Sequence, residues 1–370
     1  MTAAELSTLT QQVLWAAFFL SAAFGALVQG TGFCTMGAVS DAVALGDCTR
    51  LRQWALAVAV AMLGFALLAG AGIVSPRQTI YASRNWLWLS ALAGGAVFGF
   101  GMVLSSGCIS KTLVRVGGGN LKALVVVLVA AVAAFATLKG LTAVWRVNTV
   151  DRFALDVGAN ADLASLLARG TGLAPARASL LAGGALGAAL LAWALSAREA
   201  RRPRALLAGA GVGALVLAMW WVTGHLGHLP EHPETLEESW LATNSTRAEA
   251  FSFAAPTAFA LDWLLFFSDA GKRTTVGIVS VAGVILGSAA IALARGRFRW
   301  EGFGGTADLG HHLAGATFMG IGGVTAFGCS IGQGISGLST LSLMSLVAAP
   351  AIVLGAVAGV KYQMWRLERA

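Results

Sequence analysis

The chain has 370 residues, of which 57% are hydrophobic and only 11% are charged, and its mean hydropathy is +0.76. Soluble domains carry roughly a quarter charged residues, so this composition excludes a soluble globular domain and a disordered chain and predicts an integral membrane protein. The formal net charge of +8 comes from short basic clusters between apolar segments. That placement indicates a role in membrane topology and argues against nucleic acid as a partner.

Nine apolar segments are long enough to cross a bilayer, which takes about 20 helical residues. In chain order they are 13–32, 54–74, 86–104, 121–141, 178–197, 205–222, 275–294, 313–327 and 341–360. Another apolar stretch, 251–268, contains Pro256 and Asp262, and we predict that it enters the membrane without crossing it. The sequence therefore predicts an all-α membrane protein with about nine transmembrane helices plus re-entrant half-helices.

The distribution of charge predicts the orientation. With nine crossings and a cytoplasmic C-terminus, the arginine clusters within 198–204 and 295–299 also lie in the cytoplasm, and the glutamates within 231–249 lie outside. This arrangement follows the positive-inside rule and predicts a periplasmic N-terminus in a bacterial inner membrane. Residues 1–12 carry Glu5 as their one charge, so we expect no cleaved signal peptide.

Two glycine-rich stretches interrupt the apolar pattern and are similar to each other. GFGMVLSSGC at 99–108 and GIGGVTAFGC at 320–329 agree at five of ten positions. They lie on predicted segments that cross in opposite directions, so a single membrane domain, 1–370, is expected to contain an inverted repeat. Its halves would be 13–141 and 205–360, joined by a one-span linker, 142–204. Glycine alone could serve close helix packing. Two of the only four cysteines, however, occupy the equivalent position in the two copies, which favours a functional site.

Breaks of this kind leave backbone groups unpaired, which is tolerated where protein or a water-filled cavity satisfies them. A third break surrounds Cys34, and the exposed helix N-termini favour an anion. We therefore expect Cys34, Cys108 and Cys329 to line one transport path. Neutral thiols are weak, polarisable donors, which suits the terminal sulfur of thiosulfate better than hard oxygens. The substrate-binding residues predicted beside them are Gly107, Lys111, Gly328, Ser330 and Gln333.

Several alternatives stay open at this point. Lys111 could instead be a snorkelling interfacial lysine, and a structural or incidental role is expected for Cys48. A membrane thiol/disulfide oxidoreductase would need Cys108 and Cys329 within about 4.4 to 6.8 Å between Cα atoms. Thiolates would also suit Cu(I), but the motifs lack methionine and histidine ligands, and helix N-termini repel cations. His311 and His312 are expected at the membrane interface.

No zinc or other metal site is predicted, because the chain has no CxxC or histidine-rich spacing. We expect no cofactor and no enzymatic turnover.

At the three cysteine motifs the sequence resembles the YeeE/YedE family of bacterial inner-membrane sulfur-compound transporters. Residues 328–334 are similar to its G-C-S-I-G-x-G signature, and the segment from Gly107 to Gly119 is similar to G-C-x-x-G-x-x-x-R-x-G-E-G. Gln29, Phe33 and Cys34 fit Q-R-G-R-F-C. The resemblance, which extends over nearly the whole chain, implies thiosulfate uptake.

The resemblance also implies roles for single residues and for partners. Cys329, Cys108 and Cys34 would pass the anion inward in that order through S–H contacts, and membrane lipids and a small cytosolic TusA-like sulfurtransferase would be partners. The chain departs from the family at four positions, which are Gly30 and Gly32 for arginines, Lys111 for a glycine and Gly118 for a glutamate. This redistributes charge along the path and leaves sulfite, a polysulfide or a selenium analogue as other possible substrates.

Overall fold

The computed structural model describes residues 2–233, 235–269 and 271–369, and nearly all regular structure in them is α-helical. The α-helices are α1 (Ala3–Thr31), α2 (Thr35–Ala44), α3 (Thr49–Gly70), α4 (Trp88–Leu104), α5 (Ile109–Gly117), α6 (Leu121–Lys139), α7 (Leu141–Asn148), α8 (Leu163–Thr171), α9 (Pro175–Leu195), α10 (Pro203–Trp221), α11 (Ala254–Leu265), α12 (Val276–Ala294), α13 (Thr306–Thr325) and α14 (Leu343–Leu367). Two short antiparallel pairs join β1 (Asn85–Trp86) to β2 (Leu155–Asp156) and β3 (His228–Leu229) to β4 (Ser239–Trp240). The protein is an all-α, multi-pass membrane protein, as predicted.

Within the residues that the structure describes, eight helical stretches are long and apolar enough to cross a membrane. They are Ala4–Ala44, Thr49–Gly70, Trp88–Gly117, Leu121–Lys139, Pro175–Leu195, Pro203–Leu226, Val276–Ala294 and Leu343–Leu367. The remaining predicted span, 313–327, corresponds to α13, whose first turns contain Asp308, His311 and His312 and are therefore less apolar. The 20 residues of α13 extend over about 30 Å and pack against α4 and α6. With α13 included, the described residues contain the nine long helices that the sequence predicts.

The stretch predicted to enter the membrane without crossing it contains α11, which has 12 residues. A helix of that length extends over about 18 Å, well short of the roughly 30 Å hydrocarbon core. Asp262, near its C-terminal end, pairs with Lys272 just beyond the helix. The short helices α7 and α8 follow α6 and were not foreseen, because their apolar runs are too short to stand out in the sequence.

The two predicted halves interlock through glycines. A Cβ atom on Gly99 of α4 would overlap the carbonyl group of Ile352 in α14, and one on Gly355 would overlap that of Ala96. A Cβ atom on Gly287 of α12 would likewise overlap the carbonyl group of Ala22 in α1. Small residues let helix backbones approach closely in membranes, where the hydrophobic effect does not drive helices together. The pairs α1 with α12 and α4 with α14 each join one half to the other.

Candidate functional site

The two Gly-Cys loops have the same backbone structure. Each helix ends at a non-glycine residue with positive φ, Ser106 (56°) after α4 and Phe327 (58°) after α13. The same three backbone hydrogen bonds close each loop. In the first, the N–H groups of Ser105, Ser106 and Gly107 donate to the carbonyls of Gly101, Val103 and Met102, respectively. In the second, the N–H groups of Ala326, Phe327 and Gly328 donate to the carbonyls of Gly322, Val324 and Gly323, respectively. Both loops contain the Schellman pattern that ends a helix in the left-handed region. The similarity of the two copies therefore extends from sequence to backbone geometry.

The cysteines come at or near the start of the next helical turn in all three breaks. Cys34 is the N-cap of α2, and its Sγ accepts a hydrogen bond from the Gly37 N–H at 3.4 Å. Cys329 Sγ accepts from the Gly332 N–H at 3.4 Å, before a π-helical turn at Gly332–Gly337. A thiol that accepts from the backbone still has its own hydrogen to donate. Cys34 and Cys329 are therefore held in place by the helix and keep an S–H group for a ligand.

Cys108 is the N-cap of α5. Its Sγ is 3.2 Å from the hydroxyl of Ser110. Cys108 lies within electrostatic range of both Cys34 and Cys329, and Lys111 lies within the same range of Cys34 and Cys108. All four cysteines, Cys48 included, are free thiols, and Cys108 and Cys329 are buried. The structure thus brings the three predicted thiols and Lys111 together.

Two cations accompany the Cys108 loop. A Cβ atom on Gly107 would lie 3.5 Å from Cγ of Lys111 and 3.6 Å from Nη1 of Arg115. Both side chains are half-buried, and neither hydrogen-bonds or ion-pairs with any other residue that the structure describes. A cation held away from water without a counter-ion is costly. An anionic ligand at this loop would supply that counter-ion.

The Cys329 loop is held by buried hydrogen bonds. Gln333 donates from Nε2 to the Ala326 carbonyl at 2.6 Å and accepts from the Ser345 hydroxyl. The Tyr81 hydroxyl donates to the Gly332 carbonyl at 2.5 Å. Gln333 was expected to line the path. In the structure, both the nitrogen and the oxygen of its amide form hydrogen bonds that hold the loop. Its contact with a substrate stays a prediction.

Two buried hydroxyls beside the cysteines have no hydrogen-bond partner among the described residues. Ser330 follows Cys329 and is 1% exposed, and Thr35 follows Cys34 and is 4% exposed. Ser330 was predicted from sequence, whereas Thr35 and Ser110 were not. A signal was present, because each of the three cysteines is followed within two residues by a hydroxyl side chain.

Two cavities lie at opposite ends of α6 and α13. One, of about 230 Å³, touches the C-terminal ends of both helices and the Cys329 loop, and its walls include Tyr81, Leu138, Arg146, Glu249, Ser252, Val324, Phe327 and Gly328. The other, of about 270 Å³, touches their N-terminal ends and the Cys108 loop, and its walls include Ser105, Ser106, Thr112, Arg115, Lys122, Val126, Asp308 and His312. Cavities therefore approach the cysteine loops from both ends of α6 and α13, and the first is lined mostly by apolar groups and the second mostly by polar ones.

Each cavity contains an ordered set of charged groups. In the first, Arg146 pairs with Asp151 at 3.1 Å. Glu249 accepts from the Ser245 N–H at 2.7 Å, and burial raises the pKa of its carboxyl group. In the second, Asp308 pairs with Lys122, and His312 Nδ1 lies 3.0 Å from Asp308 Oδ1. Within the described chain, no group of three or more histidine, cysteine or acidic residues is arranged to hold a metal ion.

Comparison with known proteins gives the same assignment as the motifs. The model of the sulphur transport family matches residues 30–358. The chain is 25% identical over 356 residues to the thiosulfate transporter TsuA of Spirochaeta thermophila, which covers 93% of this chain and 97% of that protein. It is 24% identical over 350 residues to the thiosulfate transporter TsuA of Escherichia coli, with 90% of each chain covered. Because the family model spans most of the sequence, this multi-pass membrane protein is a transporter that belongs to the sulphur transport family.

Proposed function

We propose that the protein takes up thiosulfate, or a closely related sulfur anion, across the bacterial inner membrane. The anion would pass Cys329, Cys108 and Cys34 in that order, with the N-terminus periplasmic and the C-terminus cytoplasmic. The observation that carries this proposal is the row of three neighbouring free thiols, located between cavities at opposite ends of α6 and α13. Similarity to two proteins named thiosulfate transporters supports the choice of substrate.

The surroundings of the thiols suit an anion with a soft end. Moving a bare divalent anion into hydrocarbon costs tens of kcal/mol, so several partners must share its charge. Lys111 and Arg115 supply cations, the unpaired first N–H groups of α5 follow Cys108, and Ser330 adds a hydroxyl with no partner among the described residues. The same cations disfavour Cu(I) as the transported species.

The shared loop geometry supports an inverted repeat with halves at 13–141 and 205–360. In the first half α4 ends in a Gly-Cys loop that leads through α5 into α6, and in the second half α13 leads through the π-helical turn into α14. The contacts also match, since α4 packs against α14 and α13 packs against α6. In transporters built this way, interrupted helices meet near the membrane midplane and form the substrate site.

Uptake of radiolabelled thiosulfate by a sulfur-auxotrophic host tests the proposal. Cys34→Ala, Cys108→Ala and Cys329→Ala are each expected to lose most uptake, whereas Cys48→Ala, at an exposed thiol outside the path, is the matched control. Sulfite, a polysulfide and a selenium analogue serve as competitors and define the substrate. Parent-level uptake in all three path variants would overturn the thiol path.

The Cys108→Ser and Cys329→Ser variants separate transport from redox chemistry. A hydroxyl still donates a hydrogen bond but cannot form a disulfide, so residual uptake in both serine variants supports a donor role. Dithiol-dependent turnover that both substitutions abolish would favour the oxidoreductase alternative. Delivery to a cytosolic TusA-like sulfurtransferase stays a prediction from the family resemblance.

A further inference from the structure

We propose that the break between α1 and α2 is an oxyanion-binding site from which the substrate is released, formed by the guanidinium of Arg50, the hydroxyl of Thr35 and the first N–H groups of α2. The proposal rests on the proposed function and adds residues that the cysteine motifs do not include. Cys34 would hold the sulfur end of the anion, and this site would hold its oxygens.

The space that Gly37 leaves open is occupied by Arg50. A Cβ atom on Gly37 would lie 2.8 Å from Nη1 of Arg50 and 3.7 Å from Sγ of Cys34. A real Cβ does not approach a nitrogen that closely, so any larger residue at position 37 would displace the guanidinium. Arg50 and the Cys34 thiol therefore flank the same backbone position, and glycine leaves the space that the guanidinium occupies.

Two further features of this break suit an anion. Thr35, the first residue of α2, is buried and its hydroxyl has no partner among the residues described. The N-terminus of α2 adds the partial positive charge of unpaired N–H groups. Lys111 lies within electrostatic range of both Arg50 and Cys34. Donors and cations thus converge on the thiol, as a sulfur oxyanion requires.

Asp41 gives this site a means of release. Its Oδ2 lies 3.3 Å from Nε of Arg50, and both side chains are partly exposed. A guanidinium has five N–H donors, so Arg50 can bind Asp41 through Nε while the Nη groups face the break. The Asp41 carboxylate competes with the anion for the cation, which limits how tightly the substrate is held at the end of the path.

The alternative is that Arg50 only joins α3 to α2 through Asp41. Proteoliposome uptake of thiosulfate by Arg50→Gln, Gly37→Ala and Asp41→Asn distinguishes the two roles. An anion site predicts that Arg50→Gln and Gly37→Ala lower kcat/KM about tenfold or more, while Asp41→Asn, which removes the competing carboxylate, lowers KM. A purely structural pair predicts equal losses of uptake and of thermal stability in Arg50→Gln and Asp41→Asn, and that result would overturn the proposal.

Arg52→Gln is the matched control, because it removes the same charge two residues along α3. Arg52 bonds instead to the carbonyl of Trp193 and the hydroxyl of Ser196 on the far side of the helix. Uptake by the Arg52→Gln variant, divided by the amount of folded protein, should equal that of the parent. If Arg50→Gln takes up thiosulfate at the parent level while Cys34→Ala does not, this inference is overturned and the proposed function still stands. Absence of uptake in the parent would overturn the proposed function and this inference with it.

Discussion

At the scale of single residues, the site depends on polar atoms that the protein itself leaves unpaired. The hydroxyls of Thr35 and Ser330 are buried without partners, and the cations of Lys111 and Arg115 have no carboxylate partner among the described residues. Unpaired buried groups destabilise a folded protein. In the proposed site beside the three thiols, a bound anion would satisfy them.

Ser330→Ala is expected to separate stability from transport. Removing a buried hydroxyl that lacks a partner should leave the free energy of unfolding unchanged or raise it by about 1 kcal/mol, while thiosulfate uptake falls several-fold. Thermal unfolding in detergent and uptake in proteoliposomes measure the two effects. Ser345→Ala is the control, because Ser345 bonds to Gln333 and its loss should destabilise the loop. A loss of stability in Ser330→Ala would contradict the prediction.

Glu249 is expected to make stability depend on pH. It lies between α10 and α11, outside the long helices, and burial raises the pKa of its carboxyl group above the ordinary value of 4.5. The folded state therefore holds the proton more tightly than the unfolded state, so this contribution is fully present below the ordinary pKa and is lost as pH rises through the raised value. A tenfold difference in proton affinity between the folded and unfolded states corresponds to about 1.4 kcal/mol of stability.

The Glu249→Gln variant tests this pH dependence. Its melting temperature should fall less than that of the parent between pH 5 and pH 8, since the amide has no proton to lose. Other titrating groups are common to both proteins and cancel in the difference. Parallel melting curves over this range would show that Glu249 does not couple folding to pH.

The charge lost at the first motif is partly restored from elsewhere in the chain. Gly30 and Gly32 stand where the family has arginines. The Gly30 carbonyl, at the end of α1, is 3.1 Å from Nη1 of Arg295 and 3.4 Å from Nη2 of Arg204. Cations at a helix C-terminus are favourable, and here two come from helices distant in sequence.

At the scale of helices, glycine determines which pairs can form. Where α4 crosses α14, Gly99 and Gly355 each allow contact with a carbonyl group of the partner helix. The thiol loops follow directly from α4 and precede α14, so the crossing also sets the distance between the two halves of the site. A side chain at either glycine would separate the helices.

Gly99→Ala is therefore expected to destabilise the protein by about 1 to 3 kcal/mol, as overpacking does, and to reduce uptake as well. Gly184→Ala in α9 is the matched control, because nothing lies within 4 Å of the added methyl group. Alanine is the better helix former, so that variant should be neutral or slightly more stable. Thermal unfolding in detergent compares the two. Equal melting temperatures for both variants would exclude a steric role for Gly99.

At the scale of the whole molecule, orientation follows from charge. Cys48 is an exposed thiol between α2 and α3, on the side where the basic clusters are predicted to lie in the cytoplasm. A membrane-impermeant maleimide should therefore label it in inverted vesicles but not in intact spheroplasts. Ser83→Cys, exposed before β1, should give the opposite result in a Cys48→Ala background. Labelling of Cys48 from the outside would reverse the topology.

Much of this architecture was predictable from sequence because it depends on local properties. Apolar length identified the long helices, and Pro256 with Asp262 indicated the short α11. The glycine-rich interruptions and their cysteines were equally visible, since a broken helix needs residues that permit a turn. Ser106 and Phe327 show the limit of that reasoning, because neither is a glycine although each adopts the left-handed conformation that turns the chain.

What only the tertiary structure decided is which distant groups meet. No spacing along the chain indicates that Arg50 fills the space beside Gly37, or that Gln333 is occupied by Ala326 and Ser345. Hydropathy and turn preference are properties of neighbouring residues, so the sequence by itself determined the spans and their breaks. Contacts between side chains depend on how helices pack, and packing is settled by the steric fit of the whole bundle.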